Sequence, residues 1–493
     1  MNSLAGIVPV VVFLLFALVM AVLARRRSRA AAEAGFVNEY FIGNRGLGGF
    51  VLAMTTIATY GSVSSFVGGP GQAWSIGWGW VYMATVQVTT LFLLYGILGK
   101  KMALVSRKLG AVTVIDVIRQ RYQSDALAVA AALIMVTFFA TTMIAQFVGG
   151  AKLFEYVTGY SYTLGLCLFG IAVILFTSIG GFRGVAVTDA LCGVVMLVGI
   201  VVLAGGILSA GGGYAQVMDT IATNHPEMME PLSGGNMPLG LYFTQWLLVG
   251  VFTFALPQSV VRTLGYKDTK SLHSAMVWGT VILGAMMIGV TSLGVLSAGV
   301  LTEPLDAYGG SVDNIIPQTI VATLPPWLAG IAIVGPIAAS ISTVSSLLIA
   351  SSSAVVKDLW LHHSEKQGKH IADAIIERSS LIITLAVGVA VFALSIVPPS
   401  VIWKINMFAF GGLETAFVWV LLGALFWKRA TRAGALWSMI GGVAAYCTSM
   451  ALGFKLFGLH QITIGITVAL VLMVLVSLAT KPSDEKTLKT FFG

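Results

Sequence analysis

The sequence predicts an all-α polytopic membrane protein, and three observations carry that expectation. Of its 493 residues only 10% are charged while 57% are apolar, a balance that no water-exposed surface of this size could tolerate. Thirteen windows of about the twenty apolar residues needed to cross a bilayer follow one another along the chain. These windows are too long and too evenly apolar for barrel strands, and hydrocarbon excludes open sheet edges, so they are expected to be helices.

The windows lie at about 4 to 24, 46 to 69, 73 to 98, 126 to 150, 161 to 182, 185 to 208, 240 to 257, 274 to 301, 328 to 352, 379 to 397, 400 to 426, 434 to 453 and 461 to 480. Little chain remains for a soluble domain. The first window has no basic residue before it and Arg25, Arg26, Arg27 and Arg29 just after it, which predicts a retained anchor rather than a cleaved signal peptide. With the N-terminus outside, all but Lys152, Lys404 and Lys455 of the 28 Lys and Arg fall on the cytoplasmic side. Seven acids (Glu155, Asp219, Glu227, Glu230, Glu303, Asp306 and Asp313) then lie outside, and the C-terminus lies inside.

The net charge of +8 is spread over many short connections, so no nucleic-acid partner is expected; the partners are membrane lipid and a small solute. Cys167, Cys192 and Cys447 sit in apolar windows without metal-like spacing and are read as packing residues. No nucleophile elbow, phosphate-cradling loop or metal-ligand cluster is visible, so the chain is not read as an enzyme. The outer segments 209 to 239 and 302 to 327 carry turn-rich runs expected to cap the bundle. Cytoplasmic segments 99 to 125 and 353 to 378 are amphipathic and basic.

Two stretches depart from lipid-facing composition. In ATYGSVSSFVGGPGQAW, residues 58 to 74, small and hydroxyl residues replace Leu and Ile. Either helices pack closely there, or the helix unwinds and its freed carbonyls coordinate a ligand. In PIAASISTVSSLLIASSSA, residues 336 to 354, Ser342 and Thr343 lie one turn beyond Ala339 and can share its face. Such neutral oxygens suit a hard cation, although hydroxyl-rich packing gives the same pattern. Glu414, within FGGLETAF, is read as the only acid deep in a window. An intramembrane carboxyl is either a coupling group or a hydrogen-bonded structural one.

Several motifs then resemble the sodium:solute symporter family: YFIGNRGLGGF at 40 to 50, IATYGSVSSFVGGPG at 57 to 71, LGKKMALVSRKLGAVTVIDVIRQRY at 98 to 122, TSIGGFRG at 177 to 184 and FAFGGLE at 408 to 414. Gly184 departs from the Ser, Ala or Pro that usually ends the family's GGF signature. The resemblance implies a LeuT-like core of two inverted five-helix repeats, at 46 to 208 and 240 to 426, separated by the outer loop 209 to 239. An anchor helix and loop (1 to 45) precede it, and two helices (427 to 480) and a cytoplasmic tail (481 to 493) follow.

The resemblance also implies Na+ as coupling ion with no organic cofactor, held by the carbonyls of Ala58, Gly61 and Ala339 and the hydroxyls of Ser342 and Thr343. Where the proline-carrying branch has an Asp, this chain has Tyr60, which matches the branch that carries pantothenate. Sodium-driven uptake of that carboxylate across a bacterial inner membrane, by a single chain, is therefore expected, with another monocarboxylate, an amino acid or a sugar as the alternative solute. Tyr60, Ser62, Ser64, Ser65, Gln146 and Asn406 are the candidate solute contacts, and Arg45 and Glu414 the candidate gating or coupling groups. A sensor would need an output domain and a selective channel would need a symmetric ring of subunits, so both are weaker readings.

Overall fold

The architecture, a computed structural model, describes residues 4–30, 42, 45–369, 371–397 and 402–493. Residues 40, 41, 43 and 44 of the first family motif, and the 400 to 401 start of the eleventh window, lie outside them. Among the described residues the structure is helical throughout, with one isolated β-bridge. Eleven helices are long and apolar enough to cross a membrane, and a bent pair supplies a twelfth span. The expected window at 434 to 453 forms the helix Arg432–Ala451, which glycine, serine and tyrosine dilute below the apolarity of the others.

In chain order, α1 (Leu4–Ala30) is followed by α2 (Gly49–Tyr60), which breaks at Gly61 and resumes as α3 (Ser64–Ile76), bent 66° from it. Next come α4 (Trp78–Leu109), the short amphipathic α5 (Val114–Tyr122) and α6 (Asp125–Thr158). Helices α7 (Tyr162–Phe182) and α8 (Gly184–Ala210) are separated by Gly181, whose φ of 59° and ψ of −171° reverse the chain inside the TSIGGFRG motif. A short helix, α9 (Tyr214–Asn224), leads to the irregular span α10 (Leu239–Gly265), then α11 (Thr269–Ser297) and the short α12 (Ile315–Thr323). The chain closes with α13 (Pro326–Lys366), α14 (Asp373–Leu394), α15 (Ile402–Phe426), α16 (Arg432–Ala451), α17 (Ile462–Ala479) and α18 (Glu485–Phe492).

Local chemistry sets many of these ends. Ser124, Ser161, Asp268 and Thr431 each accept a first-turn backbone N–H of the helix that follows. Span α10 is interrupted at Leu256 (φ −60°, ψ 122°) because Pro257 has no N–H and pushes the residue before it out of the helical region. Helix α13 is the central post: 94% of its most apolar stretch is buried, and α1, α6 and the α7–α8 pair pack along it. It runs past the expected end at 352, through a π-helical stretch Ala354–Leu361, to Lys366. Side chains that point outward, such as Val194, Val198 and Val201 on α8, are the lipid-facing surface.

Glycines let neighbouring segments of the bundle approach closely. A Cβ on Gly79 would lie 1.9 Å from Pro231 O, and one on Gly294 of α11 would lie 1.9 Å from Pro70 O of α3. Both obstacles are backbone, which cannot rotate away. Gly294→Ala should therefore force α3 and α11 apart and cost about 1–3 kcal/mol, read as a lowered Tm of the detergent-solubilised protein. Gly289→Ala on the same helix, whose nearest neighbour is the Ile200 side chain at 3.4 Å, should leave Tm almost unchanged.

Candidate transport site

The helical ladder of α2 stops where the Gly61 N–H donates to Ile57 O at 2.7 Å. Gly61 is extended (φ −65°, ψ 121°), so the chain leaves the helix there, and the Val63 N–H is taken instead by Gln146 Oε1 of α6 at 2.8 Å. Gln146 also keeps its backbone carbonyl facing α13, where the Ser340 hydroxyl donates to it at 2.7 Å. An amide side chain thus replaces a lost backbone partner at membrane depth.

Across the break stands α13. Thr343 Oγ1 lies 3.1 Å from Gly61 O and 2.9 Å from Ala339 O, and can donate to either. Ser342 is fully buried, and its hydroxyl lies near the Asp189 carboxylate without a hydrogen bond of good geometry among the described residues. Ala58 is fully buried in the last turn of α2, one residue from Thr59, whose carbonyl is 3.5 Å from Thr343 Oγ1. The structure therefore brings Thr343 Oγ1 to the carbonyls of Gly61 and Ala339, with Ala58 and Ser342 one residue from groups of this cluster. A hydroxyl can turn a lone pair to a cation while carbonyls present theirs, so this set suits a small hard ion.

The candidate solute contacts divide. Tyr60 spans from the first broken helix to the second, its phenol donating to Val249 O at 2.6 Å with Gln87 Oε1 at 3.2 Å. Gln146 has its oxygen committed to Val63. Ser62 is buried and its carbonyl accepts from Ser65 N–H at 2.9 Å and Phe66 N–H at 3.1 Å, which starts α3. Ser64 Oγ and Asn406 Oδ1 are buried and without a partner, which leaves them available to a ligand. Ser65 is half-buried.

Arg45, whose φ is 54°, donates to Ser106 Oγ at 3.1 Å and Ala111 O at 2.9 Å, tying the entry of α2 to the end of α4. Its burial, with the nearby Arg107 guanidinium, lowers its pKa from the usual arginine value. Beside it, Leu47 N–H donates to Gly265 O at 3.1 Å and Lys267 N–H to Leu47 O at 3.0 Å, a bridge between the two broken spans. Glu414 is fully buried, and neither carboxyl oxygen has a hydrogen-bond partner among the described residues.

Glu414 is not the only acid in a span, which corrects the expectation from sequence. Asp189 of α8 is 1% exposed and pairs with Arg262 of α10, itself 2% exposed, at 2.9 Å. Thr55 Oγ1 of α2 donates to the same Asp189 oxygen at 2.8 Å, and the Arg262 Nη2 reaches Ser346 Oγ of α13 at 2.6 Å. Arg262 Nε also donates to Thr55 O at 3.2 Å. One turn beyond Ser342 and Thr343, a buried pair thus joins both broken spans to α8 and α13. Part of the signal was available: Asp189 is a charge in the apolar window 185 to 208, whereas Arg262 lies just beyond the window 240 to 257 and enters the span only because α10 runs on to Gly265.

The profile of the Sodium:solute symporter family matches residues 40–442. The chain is 38% identical over 469 residues to the sodium/pantothenate symporter of Haemophilus influenzae, covering 93% of each chain. It is 38% identical over 471 residues to the sodium/pantothenate symporter of Escherichia coli, again covering 93% of each. Its fold resembles a solved Na+-coupled sialic acid symporter, with a TM-score of 0.82 at 17% identity over 98% of this chain and 100% of that one.

Removing one partner of a buried pair leaves an uncompensated charge. Asp189→Asn or Arg262→Gln alone should destabilise the protein by about 3–5 kcal/mol, measured as a fall in Tm. The double variant should lose clearly less than the two losses added; simple additivity would show that the two groups do not interact.

Proposed function

Since the chain belongs to the sodium:solute symporter family, we propose that it takes up pantothenate with sodium by alternating access, in the inner membrane of a bacterium. The observation that carries this reading is the convergence at the break: Thr343 Oγ1 lies 3.1 Å from Gly61 O and 2.9 Å from Ala339 O. Ala58, Gly61 and Ala339 supply carbonyl oxygens and Ser342 and Thr343 hydroxyl oxygens to sodium. The names of the two relatives at 38% identity support the solute.

Thirteen spans with the N-terminus outside and the C-terminus inside complete the reading, with inverted repeats at 46–208 and 240–426. The basic residues concentrated on one side support that orientation, and the two interrupted spans, one per repeat, support the inversion. Sodium from outside fixes the bent α2–α3 pair, and the solute binds beside it at Ser64, Ser65 and Asn406. Tyr60, Ser62 and Gln146 hold the break in shape around both. The Arg45 and Leu47 contacts keep the cytoplasmic side closed, and their parting admits the inward state. Glu414, a carboxyl on a helix packed against both broken spans, is the remaining coupling group. No covalent step is required.

Labelled pantothenate should enter proteoliposomes under an inward sodium gradient and not under potassium alone. The double variant Ser342→Ala, Thr343→Ala should abolish that uptake. Competition with unlabelled solutes fixes the specificity: no uptake of pantothenate by the wild type would reject this solute in favour of another carboxylate, amino acid or sugar.

A further inference from the structure

On the lipid side of the bundle, remote from the helix breaks, a groove of about 460 Å³ runs between α4, α15 and α17. Its walls are apolar: Ile97 from α4, Trp419 and Phe426 from α15, and Leu470, Met473 and Val474 from α17. The one polar atom of the Trp419 side chain is turned away, its Nε1–H donating to Ile466 O at 2.9 Å. At the end marked by Phe426 the chemistry changes. Lys101 Nζ sits 4.7 Å from the centre of the Phe426 ring and 5.0 Å from that of Phe492. Lys428 Nζ sits 5.9 Å from the same Phe492 ring. Lys101 Nζ also donates to Leu425 O, and the Arg121 guanidinium lies 5.5 Å from the same Phe492 ring, so this end of the groove is basic, and among the described residues no ion pair joins Lys101 or Lys428 to a carboxylate.

We propose that this groove holds one acyl chain of an anionic phospholipid, with its phosphate between Lys101 and Lys428. The length of apolar wall fits a chain lying along α17, and its basic end stands where the last apolar turns of α15 give way to Lys428 and Arg429. Burial of the chain does not by itself create selectivity, because the lipid tails it leaves are as apolar as the wall. Selectivity comes from the shape of the groove and from the two cations, which draw a negative headgroup. Trp427, at the same end, is the kind of amphipathic ring that sits at headgroup level.

The test uses the full chain reconstituted with phosphatidylglycerol that carries a photoactivatable diazirine in one acyl chain, followed by peptide mapping. Labelling should concentrate on Ile97, Trp419 and residues 470–474, well above the bulk lipid contacts at Val198 and Val201 of α8, which are 48% and 70% exposed. It should exceed labelling by equally substituted phosphatidylcholine on the order of fivefold per lysine. Lys101→Gln with Lys428→Gln should bring the two lipids to parity while leaving the labelled positions unchanged. Leu470→Trp, which fills the groove, should remove the labelling there but not at α8; its Tm reports whether it has folded. Labelling no denser at the groove than at α8 would overturn the proposal, as would equal labelling by both lipids in the wild type. Cross-links from these positions to a second copy of the chain would replace the lipid by a protein neighbour and overturn it equally.

Discussion

Everything at the centre of this protein follows from one constraint: a helix broken inside a membrane must find new partners for the backbone groups it frees. Each freed N–H or C=O left bare in hydrocarbon costs several kcal/mol. At the first break the Val63 N–H goes to the Gln146 side chain, and the Gly61 carbonyl is met by the Thr343 hydroxyl. At the second, Pro257 has no N–H to satisfy, and the Val249 carbonyl receives the Tyr60 phenol. The partners come from three different helices, so the breaks fix the arrangement of α6 and α13 around them. Oxygens that satisfy a broken helix are of the same kind as those that suit a hard cation.

A second network supports the first from below. The Asp189–Arg262 pair lies in a dry interior, where removing both charges is tolerable but removing one is not. Its contacts reach Thr55 on α2 and Ser346 on α13, both within a turn or so of the gathered oxygens. The pair therefore links the second broken span to the helices that frame the first. A movement of α10 that carried Arg262 away would strand Asp189, so α10 and α8 are held to one register until both move.

The spans were legible in the sequence because crossing a bilayer is a local demand that twenty apolar residues satisfy by themselves. The break at Gly61 was legible as a choice between packing and unwinding, since small and hydroxyl residues mark both; the extended Gly61 decides for unwinding. Thr343 could be placed one turn beyond Ala339 from its spacing, whereas its neighbour Ser342 turns toward Asp189, a direction that spacing does not give. The Asp189–Arg262 pair was not read, because the partners are far apart in the chain and Arg262 falls beyond the window 240 to 257, where it counted as one more basic residue of a connection. Gln146 was read as a solute contact, yet its oxygen serves the backbone of Val63; nothing in a sequence says which way an amide points. The closures at Gly79 and Gly294 depend on backbone approaches that composition does not encode.

The bridge between Leu47 and Tyr266 joins the two broken spans through main-chain groups alone: a Leu47 N–H, a Leu47 carbonyl and their partners at Gly265 and Lys267. Such a joint has no side-chain signature. An alanine scan of the region would report the buried packing of Leu47 and Tyr266 but not the hydrogen bonds of the joint itself. Only a change to the backbone itself, such as a proline that deletes the Lys267 donor, would reveal that the joint is there.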